Sequence, residues 1–342
     1  MAIPPVKLPL PRPEMIERLS HATVTRGLID RRGKLHLGAV YDAAGRLAAG
    51  SQRAPDRYRA GDPHQLGEAL AGRAVERRLA RALYLGHAFT HFGHFLLETV
   101  PALCWVREVD GDVPLLFHPF DERGQNVFTQ CPHGVECLQM LGIPADRIVM
   151  ATGDFAVDEL LMPPRPYDIQ RGPCYDFRVI YRALRDGAQG VTPGPEARRI
   201  YLSRGRLKRR LRTRLANEAA IERRMAWRGF TVLHPQRMSF ADQIRAVASA
   251  DVVAGVDGSA LHLSAFMRPG ARMLVLETSR RRTVLMLNAL MEVETVSLAV
   301  DKPVSPDQPR KIDPGRLDAI LERLGCPPAP GAIRRLADLL FR

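Results

Sequence analysis

No apolar run in the chain approaches the roughly 18–20 residues that a membrane-spanning helix needs. Its start, Met-Ala-Ile-Pro-Pro-Val-Lys, lacks the basic-then-apolar order of a secretory signal. These two absences predict a cytoplasmic protein. Cysteine is scarce: Cys104, Cys131, Cys137, Cys174 and Cys326 are five in number, at irregular spacing, and read as reduced thiols rather than a disulfide framework. Cys131, His133 and Cys137 have no second ligand pair at a zinc-site spacing, so structural roles are expected for them. Aromatic residues make up only 6% and lysine is rare, so nearly all of the 50 basic residues are arginine.

What is present is a globular composition, 46% hydrophobic and 25% charged over 342 residues, enough for two domains of ordinary size. A net charge of +13 admits three kinds of phosphate-bearing partner: nucleic acid, an anionic membrane surface, or a phosphorylated small substrate. About half of the residues in 198–214 are basic. That run has few aromatics for base stacking and sits inside a strand-to-helix pattern, which disfavours a nucleic-acid tail.

Residues 1–30 are Pro-rich and then mildly amphipathic, and read as a surface arm. Residues 34–49 alternate around Gly45 and predict a hairpin. From Ala82 onward, short apolar runs alternate with helical spacing. Strands are expected at 82–86, 113–117 and 147–150, and helices at 95–105 and at 135–141, the latter ended by Gly142. A Gly- and Pro-containing stretch at 186–197 is the best linker, which predicts domains over 1–185 and 186–342. The second half repeats the alternation: strand 199–203, helix 217–228 ended by Gly229, strand 230–233, then a helix N-capped by Ser239 and running through Ala250. Strands separated by helices imply a parallel α/β sheet in each half.

The most informative stretch follows. A buried strand enters a small-residue turn at Asp257-Gly-Ser-Ala260, a helix begins, and a second strand, Met273-Leu-Val-Leu, ends on Glu277. Such a turn brings backbone N–H groups and a helix N-terminus to the carboxyl edge of a parallel sheet, where the phosphates of a nucleotide can bind.

Three further segments stand out: Phe92-Gly-His-Phe-Leu-Leu-Glu-Thr-Val-Pro-Ala-Leu103; Arg199-Ile-Tyr-Leu-Ser-Arg204, followed by Arg214-Leu-Ala-Asn-Glu218; and Phe230-Thr-Val-Leu-His-Pro235 with 239–243, 255–261 and 266–270. Together they resemble glycosyltransferase family 61, in its bacterial branch, over roughly residues 80–300. The resemblance implies a GT-B architecture, two Rossmann-like domains facing across a cleft. It also implies inverting transfer of a sugar from a nucleoside diphosphate, UDP favoured, to a hydroxyl of a glycan or glycolipid acceptor in polysaccharide assembly. The donor is a co-substrate, bound by the C-terminal domain; no resident cofactor or metal is expected. Where the family often carries His-Gly-Ala-Gly-Leu-Thr-Asn, this chain has Asp257-Gly-Ser-Ala-Leu-His-Leu263, which places a carboxylate in the donor turn.

On a helix, His94 and Glu98 share a face and can hydrogen-bond. A His oriented by a carboxylate can take the proton of an attacking hydroxyl near neutral pH, so the pair is the candidate base and its partner. Ser203, Arg204, Arg210 and Arg214 are candidate diphosphate contacts, with Arg206 and Arg209 in reserve, because the guanidinium fork donates to two phosphate oxygens at once. Asp257, Gly258, Ser259 and Ala260 would form the donor turn, and Glu277 would hold ribose hydroxyls. His262 faces either the cleft or the core. His91 opens a rival reading in which His91, His94 and Glu98 hold a metal in a hydrolase. Two further rivals remain: a non-catalytic relative with a lost donor site, and an arginine-based nucleic-acid binder. Residues 333–342 form an amphipathic pattern that either touches the inner face of a membrane or packs back across the domains.

Overall fold

The computed structural model describes residues 8–26, 28–29, 35–36, 38–51, 74–120, 125–168, 172–188, 198–207, 215–278, 282–301 and 310–329. The chain divides into two compact units, one over 7–187 and the other from 188 onward. The expected membrane-facing segment at 333–342 lies outside the described residues, as do most of the expected linker and Arg209, Arg210 and Arg214. Among the described residues no helix is long and apolar enough to cross a membrane.

The N-terminal unit is built on a six-stranded sheet. Its strands are β1 (Glu17–Thr25), β2 (Ala39–Tyr41), β3 (Arg77–Ala88), β4 (Leu115–Pro119), β5 (Ile148–Met150) and β6 (Phe155–Met162), in the order β2-β1-β6-β3-β4-β5. β6, β3, β4 and β5 run parallel, whereas β1 is antiparallel to both of its neighbours. Two expectations are corrected here. The sheet is mixed rather than parallel, and part of the supposed N-terminal arm, Glu17–Thr25, is an inner strand of it. The physical reason is that one end of this sheet stays in water. Arg18 of β1 and Arg81 of β3 flank Glu159 of β6 at 2.7 and 2.9 Å, and Arg78 reaches Asp158 at 3.0 Å, so the three strands carry paired charges at this end where buried strands would carry apolar residues. Farther along, Ala22 and Val24 join Val40, Ala82, Leu116 and Val157 in the core.

The expected hairpin is partly formed: Tyr41 bridges Leu47 antiparallel, and Asp42 accepts the N–H groups of Ala44 and Arg46, both at 2.9 Å. Helix α1 (Pro132–Leu141) stops where Gly142 turns left-handed, φ 65°. Helix α2 (Arg178–Gly187) closes the unit.

The C-terminal unit carries a five-stranded, wholly parallel sheet: β7 (Arg199–Leu202), β8 (Thr231–Leu233), β9 (Val252–Val256), β10 (Arg272–Glu277) and β11 (Glu294–Ala299), ordered β8-β7-β9-β10-β11. Among the described residues, the α-helices that connect or follow these strands are α3 (Glu218–Trp227), α4 (Phe240–Ala248), α5 (Arg282–Leu290) and α6 (Pro314–Arg323). Ser239 caps α4 by accepting the Asp242 N–H at 3.0 Å. The second strand lies to one side of the first and the third to the other, so the strand order reverses between β7 and β9. In open α/β sheets that reversal opens a crevice outside the carboxyl ends of the two strands. Arg228, almost fully buried, ties α3 to α6 through Asp318 at 3.0 Å and Glu322 at 3.2 Å.

Candidate functional sites in the two units

In the N-terminal unit β3 leads into an irregular helix over 92–108. One α turn, Phe92–His94, passes into a π-helical stretch, Phe95–Thr99, and the segment ends as a 3₁₀ helix, Leu103–Glu108. Pro101 gives a local reason for the widened turn. It has no N–H to return to the preceding turn, and the Leu96 carbonyl instead accepts the Tyr181 hydroxyl of α2 at 2.5 Å. The Val100 N–H bonds back to Phe95, five residues earlier. Single π turns of this kind are frequent at functional sites. Thr99 fastens the helix to the end of β3: its hydroxyl donates to the His87 carbonyl at 3.2 Å and accepts the Phe89 N–H at 3.0 Å.

On this helix His94 Nδ1 lies 2.8 Å from Glu98 Oε1. The Glu98 side chain is 7% exposed and that of His94 38%, so a buried carboxylate backs a reachable imidazole. A carboxylate accepts, so Nδ1 donates and the lone pair of the neutral ring is left on Nε2. His91 stands at the non-helical N-cap, its ring 5.3 Å from that of His94. Among the described residues no group of three His, Cys, Asp or Glu side chains has the arrangement of a metal site.

Glu98 also lines a cavity with Tyr84, His87, Phe89, Trp105, Arg165 and Tyr167. Hydrogen bonds order the polar groups of this lining. Tyr84 is held by His118: His118 Nε2 is 2.8 Å from the Thr25 carbonyl and must donate to it, so its Nδ1 accepts the Tyr84 hydroxyl at 2.7 Å. Arg165 donates to His87 Nδ1 at 3.3 Å. Burial and, second, the Glu98 charge push the Tyr167 hydroxyl above its usual range. Sequence reasoning missed these residues. His87 and His118 do stand near the carboxyl ends of β3 and β4, the one signal that could have singled them out.

In the C-terminal unit most of the expected donor residues converge on the crevice between β7 and β9. Arg204 follows β7 and donates through Nη1 to the Asp257 carbonyl at 2.9 Å, just beyond β9. Gly258 leaves room for that contact: a Cβ would sit 2.4 Å from the same nitrogen, so a larger residue would displace the guanidinium. Ser259 and Ala260 open the next helix, which is 3₁₀ over Ser259–Phe266 rather than α. The Asp257 N–H pairs with the Leu276 carbonyl at 3.0 Å, and this holds Glu277, at the end of β10, beside the turn. Asp257 itself is 4% exposed.

One residue departs from the expected arrangement, and a second resolves toward the core. Ser203 is 1% exposed, and its hydroxyl accepts the Gly205 N–H at 2.9 Å while donating to Glu222, with Glu218 also near. Its one proton is thus committed to a carboxylate. His262 is buried, with Nδ1 3.1 Å from the Ser259 carbonyl. Sequence reasoning passed over His234, which follows β8; burial and, next, Arg206 hold its pKa below the ordinary value.

The family model of glycosyltransferase 61 matches residues 92–274, more than half of the chain, and includes His94, Glu98, Arg204 and the turn at 257–260. The chain belongs to that family. Membership supports glycosyl transfer, with a donor and an acceptor as substrates. No curated protein matches the chain in sequence.

Proposed function

We propose that the chain is an inverting glycosyltransferase of the bacterial branch of its family, with the GT-B division of labour: donor on the C-terminal unit, base on the N-terminal one. The carrying observation is the 2.8 Å contact between His94 Nδ1 and the buried Glu98 carboxylate. It supports His94 as the general base. Nε2 takes the proton of an acceptor hydroxyl as that oxygen bonds to the anomeric carbon of the donor sugar. The bond from that carbon to the phosphate oxygen breaks in the same displacement, inverting the centre, and the electron pair leaves with the nucleoside diphosphate. Arg204 and the N-terminal turn at Ser259 and Ala260 would stabilise the departing charge, with no resident metal in this reading. Arg210 and Arg214 are proposed to add to that cationic surface, and Glu277 to hold the ribose. The donor is proposed to be a UDP-sugar. The acceptor is proposed to be a glycan or glycolipid hydroxyl in polysaccharide assembly at the cytoplasmic face of a membrane.

Calorimetric titration with UDP, GDP, CMP and their common sugar conjugates, with and without a chelator, tests this reading. The expected result is chelator-insensitive binding of UDP, weakened about 10- to 100-fold in Arg204→Ala, the range for a lost charge-assisted hydrogen bond. A protein that binds none of these nucleotides overturns the donor assignment.

A further inference from the structure

The Asn217-Glu218 pair falls within a family-like segment, yet the reading above gives it no role. Glu218 is 3% exposed and stands in the first turn of α3. One of its oxygens, Oε1, accepts the Tyr201 hydroxyl at 2.9 Å and the Arg204 backbone N–H at 3.1 Å, with the Ser203 oxygen 3.4 Å away. These two donors come from β7 and the turn beyond it. The same turn is held from its other side, because Ser203 donates to Glu222 and accepts from Gly205. A Cβ on Gly205 would lie 2.6 Å from Glu222 Oε1, so the packing is close. Asn217, by contrast, turns away: it exchanges hydrogen bonds with the Ile312 backbone, at 2.8 and 3.3 Å, ahead of α6.

We infer that Glu218 is a positioning residue for the donor site, acting through Arg204. By fixing the Arg204 N–H it sets the direction in which that side chain leaves the backbone, and the guanidinium then reaches the Asp257 carbonyl at the carboxyl ends of β7 and β9. A buried carboxylate on α3 thereby determines where a cation on the β7 turn stands. Asn217 carries the structural half of the pair and Glu218 the functional half. This assignment rests on the donor reading above.

The test is UDP titration and thermal melting of the full chain in four variants. Glu218→Ala removes the hydrogen-bond acceptor and is expected to raise the UDP dissociation constant about 10-fold or more. Glu218→Gln keeps one acceptor oxygen and is expected to stay within about threefold of the parent. Asn217→Ala is expected to lower the melting temperature without moving UDP affinity. If Glu218→Ala does not fold, Glu218→Asp provides the second measurement, by drawing the carboxylate back from the Arg204 N–H; about fivefold weaker binding is expected. A folded Glu218→Ala or Glu218→Asp that binds UDP like the parent overturns the inference and leaves the donor reading standing. A parent protein that binds no nucleotide overturns both.

Discussion

The candidate site of the C-terminal unit sits where strand order alone would put it, whereas that of the N-terminal unit sits on a helix that departs from regular geometry. In the first, a wholly parallel sheet reverses its order between β7 and β9, and Arg204, Asp257 and Gly258 gather at that reversal. In the second, the sheet is mixed, and His94 and Glu98 owe their placement to a π turn that Pro101 and Tyr181 sustain. Topology places backbone turns, which suit the recognition of a charged, extended group. Local irregularity places individual side chains, which suits the handling of a proton.

Three experiments bear on that contrast. The largest effect is expected from His94→Ala, which should cut kcat by about 1,000-fold, within the range for losing a general base. UDP affinity should stay within twofold of the parent. A joint loss of turnover and nucleotide binding would show that the two sites are not separable.

Next, Tyr181→Phe leaves the Leu96 carbonyl buried without its hydroxyl donor. An unsatisfied buried acceptor costs about 1–3 kcal/mol. In a unit of this size that corresponds to a melting temperature lowered by roughly 2–4 °C per kcal/mol. Calorimetric melting should register the drop while UDP binding persists. An unchanged melting curve would mean that the π turn holds without this bond.

The smallest effect concerns pH. Burial lowers the His133 pKa below its ordinary 6.5, against an opposing influence from Glu136. The unfolded chain therefore binds a proton near pH 6.5 that the folded chain takes up only at lower pH. The stability contributed by the neutral ring is full above about 6.5 and is lost as pH falls through that window. His133→Gln should flatten the decline in melting temperature between pH 7 and 5. His234 in the other unit, shifted in the same direction, is untouched by that change. A variant whose melting temperature declines as steeply as the parent's would remove His133 from the acid response.

Much of the C-terminal unit was legible in the sequence because its signals are local and strong. Its strands are short apolar runs, α3 is followed by Gly229 with φ 78°, and Ser239 caps α4 by the expected bond. The pairing of His94 with Glu98 was legible too, since four-residue spacing keeps a face even through a widened turn. Three things were not. Periodicity cannot register a hydrogen bond that skips back five residues, so the π turn was invisible. β1 was read as part of a Pro-rich, mildly amphipathic arm because its exposed end carries polar and charged residues, such as Arg18, that pair only with a strand far along the chain. The role of Glu218 depends on a carboxylate meeting a turn fourteen residues earlier in the chain, and no sequence pattern encodes that encounter.

The bond between Arg204 and the Asp257 carbonyl has a thermodynamic consequence. A free arginine side chain samples many rotamers, and confining it costs about 1.5–2 kcal/mol of conformational entropy. Here that confinement accompanies the folding of the sheet rather than the arrival of a ligand. On the donor reading proposed above, an incoming phosphate would meet a guanidinium whose orientation is already chosen, and more of the attraction between them would remain as affinity.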